Sequence, residues 1–354
     1  MRRSSSVVPT LLLSLLLPAC DRSAAPDGQD TAAATTALRG PWLGQTPPDE
    51  APVPFAPGIV STGFGERDVA MMPDGTEIYW SVFGGSYAWC TVLTSRLAGD
   101  TWTEPEVAPC CRDLGYMDVE PHITPDGQHF MWLSDRPGGA LTEAGGQDIW
   151  VMDRVGDAWG DPYPLPAPVN TTDSEYFPST TRDGTIYFTR GPAGGGENLI
   201  YRSRKEGGVY QEPELLPPQV NAGLARYNAF VDPDERFLIL GVVGGPGSFG
   251  GTDHYVVFRS PDDRWSEPVN LGAAVNTEST FEYSAYVSPD GGYLFFMTTR
   301  PDLARLAPGG RASASSIRAL VDQPNNGASD IYWMSADFLE RLRPAAAPGG
   351  TPSP

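Results

Sequence analysis

The chain has 354 residues and a formal net charge of −20, with 24 Lys and Arg against 44 Asp and Glu. So acidic a surface repels phosphate backbones and excludes nucleic acid as a partner. Hydrophobic residues make up 40% of the chain, too many for a disordered protein. With 40 Gly and 36 Pro set between short aromatic runs, the composition predicts tight turns and an all-β domain rather than a helical bundle.

The first twenty residues read as an address. Arg2 and Arg3 precede an apolar stretch from Val7 to Leu17, too short to span a bilayer and of the length of a signal-peptide core. It ends in Leu17-Pro18-Ala19-Cys20, which resembles the lipobox of bacterial lipoproteins. The resemblance implies a signal peptide over 1–19, a lipid on the Cys20 sulfur and a location outside the cytoplasm, periplasm-facing or at the cell surface. An ordinary secretory signal with an incidental cysteine is the alternative. Residues 20–50 lack an apolar period and read as a disordered tether. The tail over 344–354 reads the same way.

Between them, residues 51–343 repeat. The turns Pro73-Asp74-Gly75, Pro125-Asp126-Gly127, Arg182-Asp183-Gly184, Pro233-Asp234-Glu235 and Pro289-Asp290-Gly291 place their aspartates 52, 57, 51 and 56 residues apart. Each turn is flanked by short apolar runs, a hairpin signature. A third run follows at Asp148-Ile149-Trp150, Asn198-Leu199-Ile200, Asp253-His254-Tyr255 and Asp330-Ile331-Tyr332. Then come Trp102-Thr103-Glu104-Pro105, Trp159-Gly160-Asp161-Pro162, Tyr210-Gln211-Glu212-Pro213 and Trp265-Ser266-Glu267-Pro268. These are read as fourth strands, with exits at Val169-Asn170, Val220-Asn221 and Val275-Asn276. Four antiparallel strands per repeat make a propeller blade. The count is five blades, or six with one degenerate. The last repeat lacks its fourth strand, and Pro54 to Thr62 resembles an exit segment. An N-terminal strand is therefore expected to complete the last blade and close the ring. Ser315 to Val321, within the insertion of the last repeat, is expected to form a short helix.

These landmarks resemble the WD40-like β-propeller repeat of TolB-like periplasmic proteins. The resemblance implies a propeller fold and protein partners.

The first strand of each blade lines the channel of a propeller. Eight residues before each turn aspartate stand Glu66, Asp118, Glu175, Arg226 and Glu282. Six before stand Asp68, Glu120, Phe177, Asn228 and Ser284. Together they are read as a mostly acidic axial ring able to hold a cation, a sugar or a basic segment. The competing reading is that they cap backbone groups and pair with neighbouring blades. Arg136, Arg190 and Arg300 form a rim for an anion, or pair with aspartates of adjacent hairpins. Cys90 is expected to bridge to Cys110 or Cys111, leaving one thiol over. The cysteine and histidine spacing matches no zinc pattern.

Three histidines and no Gly-x-Ser-x-Gly exclude a propeller-type serine peptidase. The expected protein is a monomeric, lipid-anchored, extracytoplasmic propeller that binds an envelope protein or glycan without catalysis. It meets the membrane only through its lipid. The alternative is a carbohydrate-active enzyme, a glycosidase or lyase, using axial carboxylates. No residue is singled out as catalytic. No cofactor is expected, a divalent cation in the axial channel being the exception allowed.

Overall fold

A computed structural model describes residues 38–140, 146–278, 281–301 and 313–344. The expected signal peptide, Cys20, the first part of the expected tether and the tail beyond 344 lie outside the described residues. Five small antiparallel sheets stand in a ring as the blades of a propeller. Blade 1 orders Gly65–Met71, Glu77–Gly84, Trp89–Ala98 and Glu106–Val107 from the axis outward. Blades 2, 3 and 4 repeat this order, with innermost strands Asp118–Ile123, Ser174–Thr180 and Ala225–Val231. Blade 5 contains Glu282–Val287, Tyr293–Thr298 and Asp330–Ser335, and its fourth strand is Val53–Pro54 from the other end of the chain. Val53 stands opposite Trp333 and Pro54 opposite Tyr332. Phe55 then buries its ring against Phe295 and Trp333. Closure by the N-terminal strand removes the last free edge.

The repeated landmarks have local physical causes. In four blades the turn aspartate accepts from the backbone N–H two residues on: Asp74 from Thr76, Asp126 from Gln128, Asp183 from Thr185 and Asp290 from Gly292. These are Asx turns. Asn170, Asn221 and Asn276 each bond both the N–H and the C=O of one third-strand residue, Ile149, Ile200 and His254. Each thus serves as a backbone substitute where the short fourth strand has ended. The Trp-x-Glu-Pro segment lies one step earlier than the sequence suggests. Its aromatic residue sits on the return from the third strand, and the fourth strand begins after the proline, which has no N–H to give a ladder. Trp159 donates to Tyr79 of the preceding blade, and Trp265 likewise packs on Tyr187 of the blade before its own.

Two expectations are corrected. Residues 38–50 are not a free tether: Leu43 is buried, Trp42 packs on Tyr293 and Trp333, and the Trp102 indole donates to the Gly40 carbonyl. Burial of these apolar side chains across blades 1 and 5 outweighs the loop-like composition. The cysteine pairing also differs. Cys110 and Cys111 are bonded to each other, and Cys90 is a buried free thiol on the third strand of blade 1. The Thr91 hydroxyl donates to the Cys111 carbonyl and the Arg136 guanidinium to that of Cys110, which fixes the loop without any bond to Cys90. A bond between neighbours closes almost no chain loop, so its entropic contribution is small. Replacing both by serine is expected to cost less than about 2 kcal/mol, read by urea denaturation. Burial pushes the Cys90 thiol up to about 11. A domain beginning at residue 38 should show no reactive thiol when native and one in denaturant.

The expected helix is present as Ala314–Val321, capped by Ser313. Among the described residues no helix is long and apolar enough to cross a membrane.

Candidate functional site

Every innermost strand carries a bulge at one repeated position. The register shifts after Arg67, Val119, Tyr176, Tyr227 and Tyr283. The next residue in each case is left-handed: Asp68, Glu120, Phe177, Asn228 and Ser284, with φ between 52° and 62°. Left-handed Glu and Phe are uncommon, and each costs roughly 1–3 kcal/mol. Such a bulge bends the strand and re-aims its side chains. Here it turns two successive residues of each blade toward the axis.

The residue that precedes each bulge forms a complete ring. Arg67, Val119, Tyr176, Tyr227 and Tyr283, joined by Tyr87, line a cavity of about 310 Å³ at one mouth of the channel. Of the left-handed residues, Glu120 and Asn228 also line it. The Arg67 guanidinium donates from Nε to Asp68 at 2.8 Å, from Nη2 to Glu120 at 2.5 Å and from Nη1 to the Tyr87 hydroxyl at 2.8 Å. It also lies over the Tyr283 ring, 4.9 Å from its centre. The second Glu120 oxygen accepts from the Phe177 N–H at 2.7 Å. Asn228 donates to Ser284 at 3.0 Å and to Glu120 at 3.4 Å. One polar knot therefore joins all five blades and plugs the channel. Beyond it, a smaller cavity of about 170 Å³ opens between the turn prolines and His122. Asp68 also lines a void of about 10 Å³, room for one water molecule.

The electrostatics follow from burial. Burial chiefly pushes the Glu120 carboxyl up to about 7, with Arg67 opposing and Asp68 reinforcing the shift. Arg67 stays charged because Asp68, the tyrosines and Glu120 together outweigh its burial. Burial likewise raises the phenols of Tyr176, Tyr227 and Tyr283, so they remain protonated and can both donate and accept hydrogen bonds. Among the described residues no group of three or more His, Cys, Asp or Glu is placed to hold a metal ion. The guanidinium of Arg67 occupies the space between the two carboxylates.

The sequence-derived ring divides in two. Asp68, Glu120 and Asn228 stand at the axis. Glu66, Asp118, Glu175, Arg226 and Glu282 do not line the axial cavity and are corrected here. They alternate to the other face of the strand, where all are buried. Asp118 pairs with Arg136 at 2.7 Å and Glu175 with Arg190 at 2.7 Å. Glu282 accepts from Thr277 and Thr298, with Arg300 at 3.9 Å. Those arginines also donate to exit-loop carbonyls of the preceding blade, at Cys110, Val169 and Val275. Each thus pairs with an acid of its own blade and ties that blade to its neighbour, rather than forming a rim for an anion. In blade 4, Arg226 stands where the acid does and bonds the Ala222 and Gly223 carbonyls directly. The residues missed were the ring seven before the turn aspartate. Tyrosine at that place in three successive repeats was the available signal.

A second cavity, about 1040 Å³, adjoins the first between blades 1 and 5. It is walled by Phe64, Phe83, Trp89, Phe281 and the segment after the helix, with Tyr87 and Tyr283 shared between the two cavities.

No family model and no curated protein matches the sequence. Among solved structures, the chain is similar to a thermostable family-43 glycoside hydrolase at 13% identity and a TM-score of 0.46, covering 84% of this chain and 99% of that one. It is also similar to the Hadza microbial sialidase Hz136, at 11% identity and a TM-score of 0.41, over 77% and 53%. A puromycin-hydrolyzing peptidase of Mycobacterium tuberculosis follows at 13% and 0.37, with 66% of this chain against 34% of that one. The chain thus spans about half of the sialidase and a third of the peptidase. Likeness at this level is of fold alone.

Proposed function

We propose that this propeller is an extracytoplasmic glycan-recognition protein whose axial cavity takes one sugar residue. The observation that carries this reading is the ring of phenols around a blind cavity with a neutralised floor. Sugars present apolar C–H faces and hydroxyl edges. Tyrosine matches both, with a ring to stack on and a hydroxyl that donates and accepts. A concave, mostly aromatic site with a few convergent polar groups is the usual form of a small-ligand pocket. The bond between Cys110 and Cys111 supports an oxidising compartment. It agrees with a lipid anchor on Cys20, which Cys20→Ala should abolish, moving the protein from the membrane to the soluble fraction.

Recognition without turnover is preferred because hydrolysis needs two carboxyl groups about 5–10 Å apart and open to substrate. Asp68 and Glu120 are buried and share one guanidinium. One observation favours the second reading, a carbohydrate-active enzyme. Glu120, held near 7 by burial, is among the described residues the one carboxyl that reaches the cavity wall, and a carboxyl of that kind can act as a general acid. Calorimetric titration with neutral monosaccharides checks the first reading. Tyr283→Ala is expected to weaken binding at least tenfold, or about 1.4 kcal/mol. Absence of binding to every neutral sugar sinks it. Product analysis with oligosaccharides decides between the readings. Turnover that falls at least about a hundredfold in Glu120→Gln makes the protein an enzyme.

A further inference from the structure

The two cavities at the tyrosine mouth form one depression of unequal parts. The axial part is blind, because the knot from Arg67 to Ser284 closes its floor. At about 310 Å³ it is far smaller than its neighbour of about 1040 Å³. The larger part is built from rings laid directly on backbone. A Cβ added to Gly65 would stand 2.5 Å from the Phe83 ring, and one on Gly84 would stand 2.6 Å from that of Trp89. Only glycine lets these rings lie so close. Phe83 is stacked on Tyr87 with centroids 4.1 Å apart and planes within 5°, and Phe64 meets Trp89 edge-on at 5.5 Å. These contacts fix the platforms in place and leave Phe64 and Phe281 about half exposed on the lips. The opposite wall comes from blade 5, where Asn326 donates to the Gly63 carbonyl. Among the described residues, Asp322 is the one charged residue along the cleft.

Resting on the glycan reading above, we propose that this site recognises the end of a linear, uncharged glycan. The terminal residue enters the axial cavity and the following residues lie along the cleft between blades 1 and 5. Continuity through Tyr87, Phe281 and Tyr283 makes the cleft part of the same site. The blind floor admits an end and not a passing chain. The fixed rings offer successive stacking surfaces, and among the described residues no cationic side chain lines the cleft, which disfavours uronate or sulfated polymers on a protein of net charge −20.

The test is titration of the domain from residue 38 onward with linear neutral oligosaccharides of one to six units, in glucose, xylose, arabinose and galactose series. Oligogalacturonides serve as the charged series and a cyclic glucan as the endless one. In one neutral series affinity should rise at least tenfold between one unit and four. The cyclic glucan and the charged series should not bind. Phe64→Ala and Trp89→Ala should each flatten the length dependence while single-sugar binding persists, and Trp89→Phe should restore most of it. Sugar binding with no dependence on length, or equal binding of the cyclic glucan, overturns the end-on cleft and leaves the axial reading standing. No binding of any sugar overturns both.

Discussion

Replacing Arg67 with methionine is expected to lower the stability of the domain by about 3–5 kcal/mol. The substitution keeps volume and removes charge. It strands the Asp68 and Glu120 carboxylates, each under 6% exposed, without the cation that both face at 2.8 Å or less. Uncompensated buried charge is among the few single-residue changes that cost this much. The loss should also depend on pH. Glu120 sits near 7, so at pH 5 it takes up a proton and part of the repulsion vanishes. The penalty should be smaller there than at pH 8. Urea denaturation at both values measures it. Glu120→Gln in the Arg67→Met background should recover part of the loss, since an amide leaves no stranded charge. An Arg67→Met domain as stable as the parent at pH 8 would show that the knot does not hold the blades together.

The second large effect belongs to Glu66. It is fully buried and accepts hydrogen bonds from the Thr62 N–H and hydroxyl. Among the described residues no arginine pairs with it, unlike Asp118 and Glu175 in blades 2 and 3. Burial, the largest cause, pushes its carboxyl up to about 8, and the charge of Asp330 adds to this. A raised carboxyl means that the folded protein holds this proton where the unfolded chain has released it. The stabilisation is therefore complete below about 4.5 and is lost as pH rises to about 8. Over that window the contribution falls by on the order of 5 kcal/mol. Glu66→Gln, which keeps the shape and cannot ionise, should remove this slope and be the more stable protein at pH 8. Thermal denaturation of both proteins from pH 5 to pH 9 reads the difference. A parallel pair of curves would mean that Glu66 ionises freely in the fold.

Much of the fold was legible because each blade repeats its punctuation. Aspartates at regular spacing marked the turns, and asparagines after Val169, Val220 and Val275 marked the exits. The missing fourth strand of the last repeat pointed to closure from Pro54 onward. The site was legible only in part. Counting by eight and six chose residues of one parity, as though the strand were regular. The bulge breaks that alternation after the seventh position, and neither Glu120 nor Phe177 carries the preference for left-handed backbone that announces such a break. Arg67 was hidden for another reason. It is the lone cation of a ring otherwise made of tyrosines and a valine, so repeat-to-repeat comparison treats it as noise. The bond between Cys110 and Cys111 escaped because separation along the chain suggested Cys90 as the partner. The burial of Trp42 and Leu43 escaped because flanking Gly and Pro gave their segment the look of a loop.

The closing strand has a consequence for how copies of this chain meet. The Ser61 hydroxyl reaches the Ile331 carbonyl across 270 residues of sequence, so the last pairing of the ring joins segments that share no local neighbourhood. Until it forms, Asp330–Ser335 is an open edge and Val53–Pro54 a loose end. Nothing in two residue pairs and a buried Phe55 distinguishes a chain's own edge from that of an identical neighbour. At high concentration the same contacts can be made between molecules, giving strand-exchanged dimers with every blade complete. Oligomers formed on refolding would then be closed propellers that dissociate only by opening a blade.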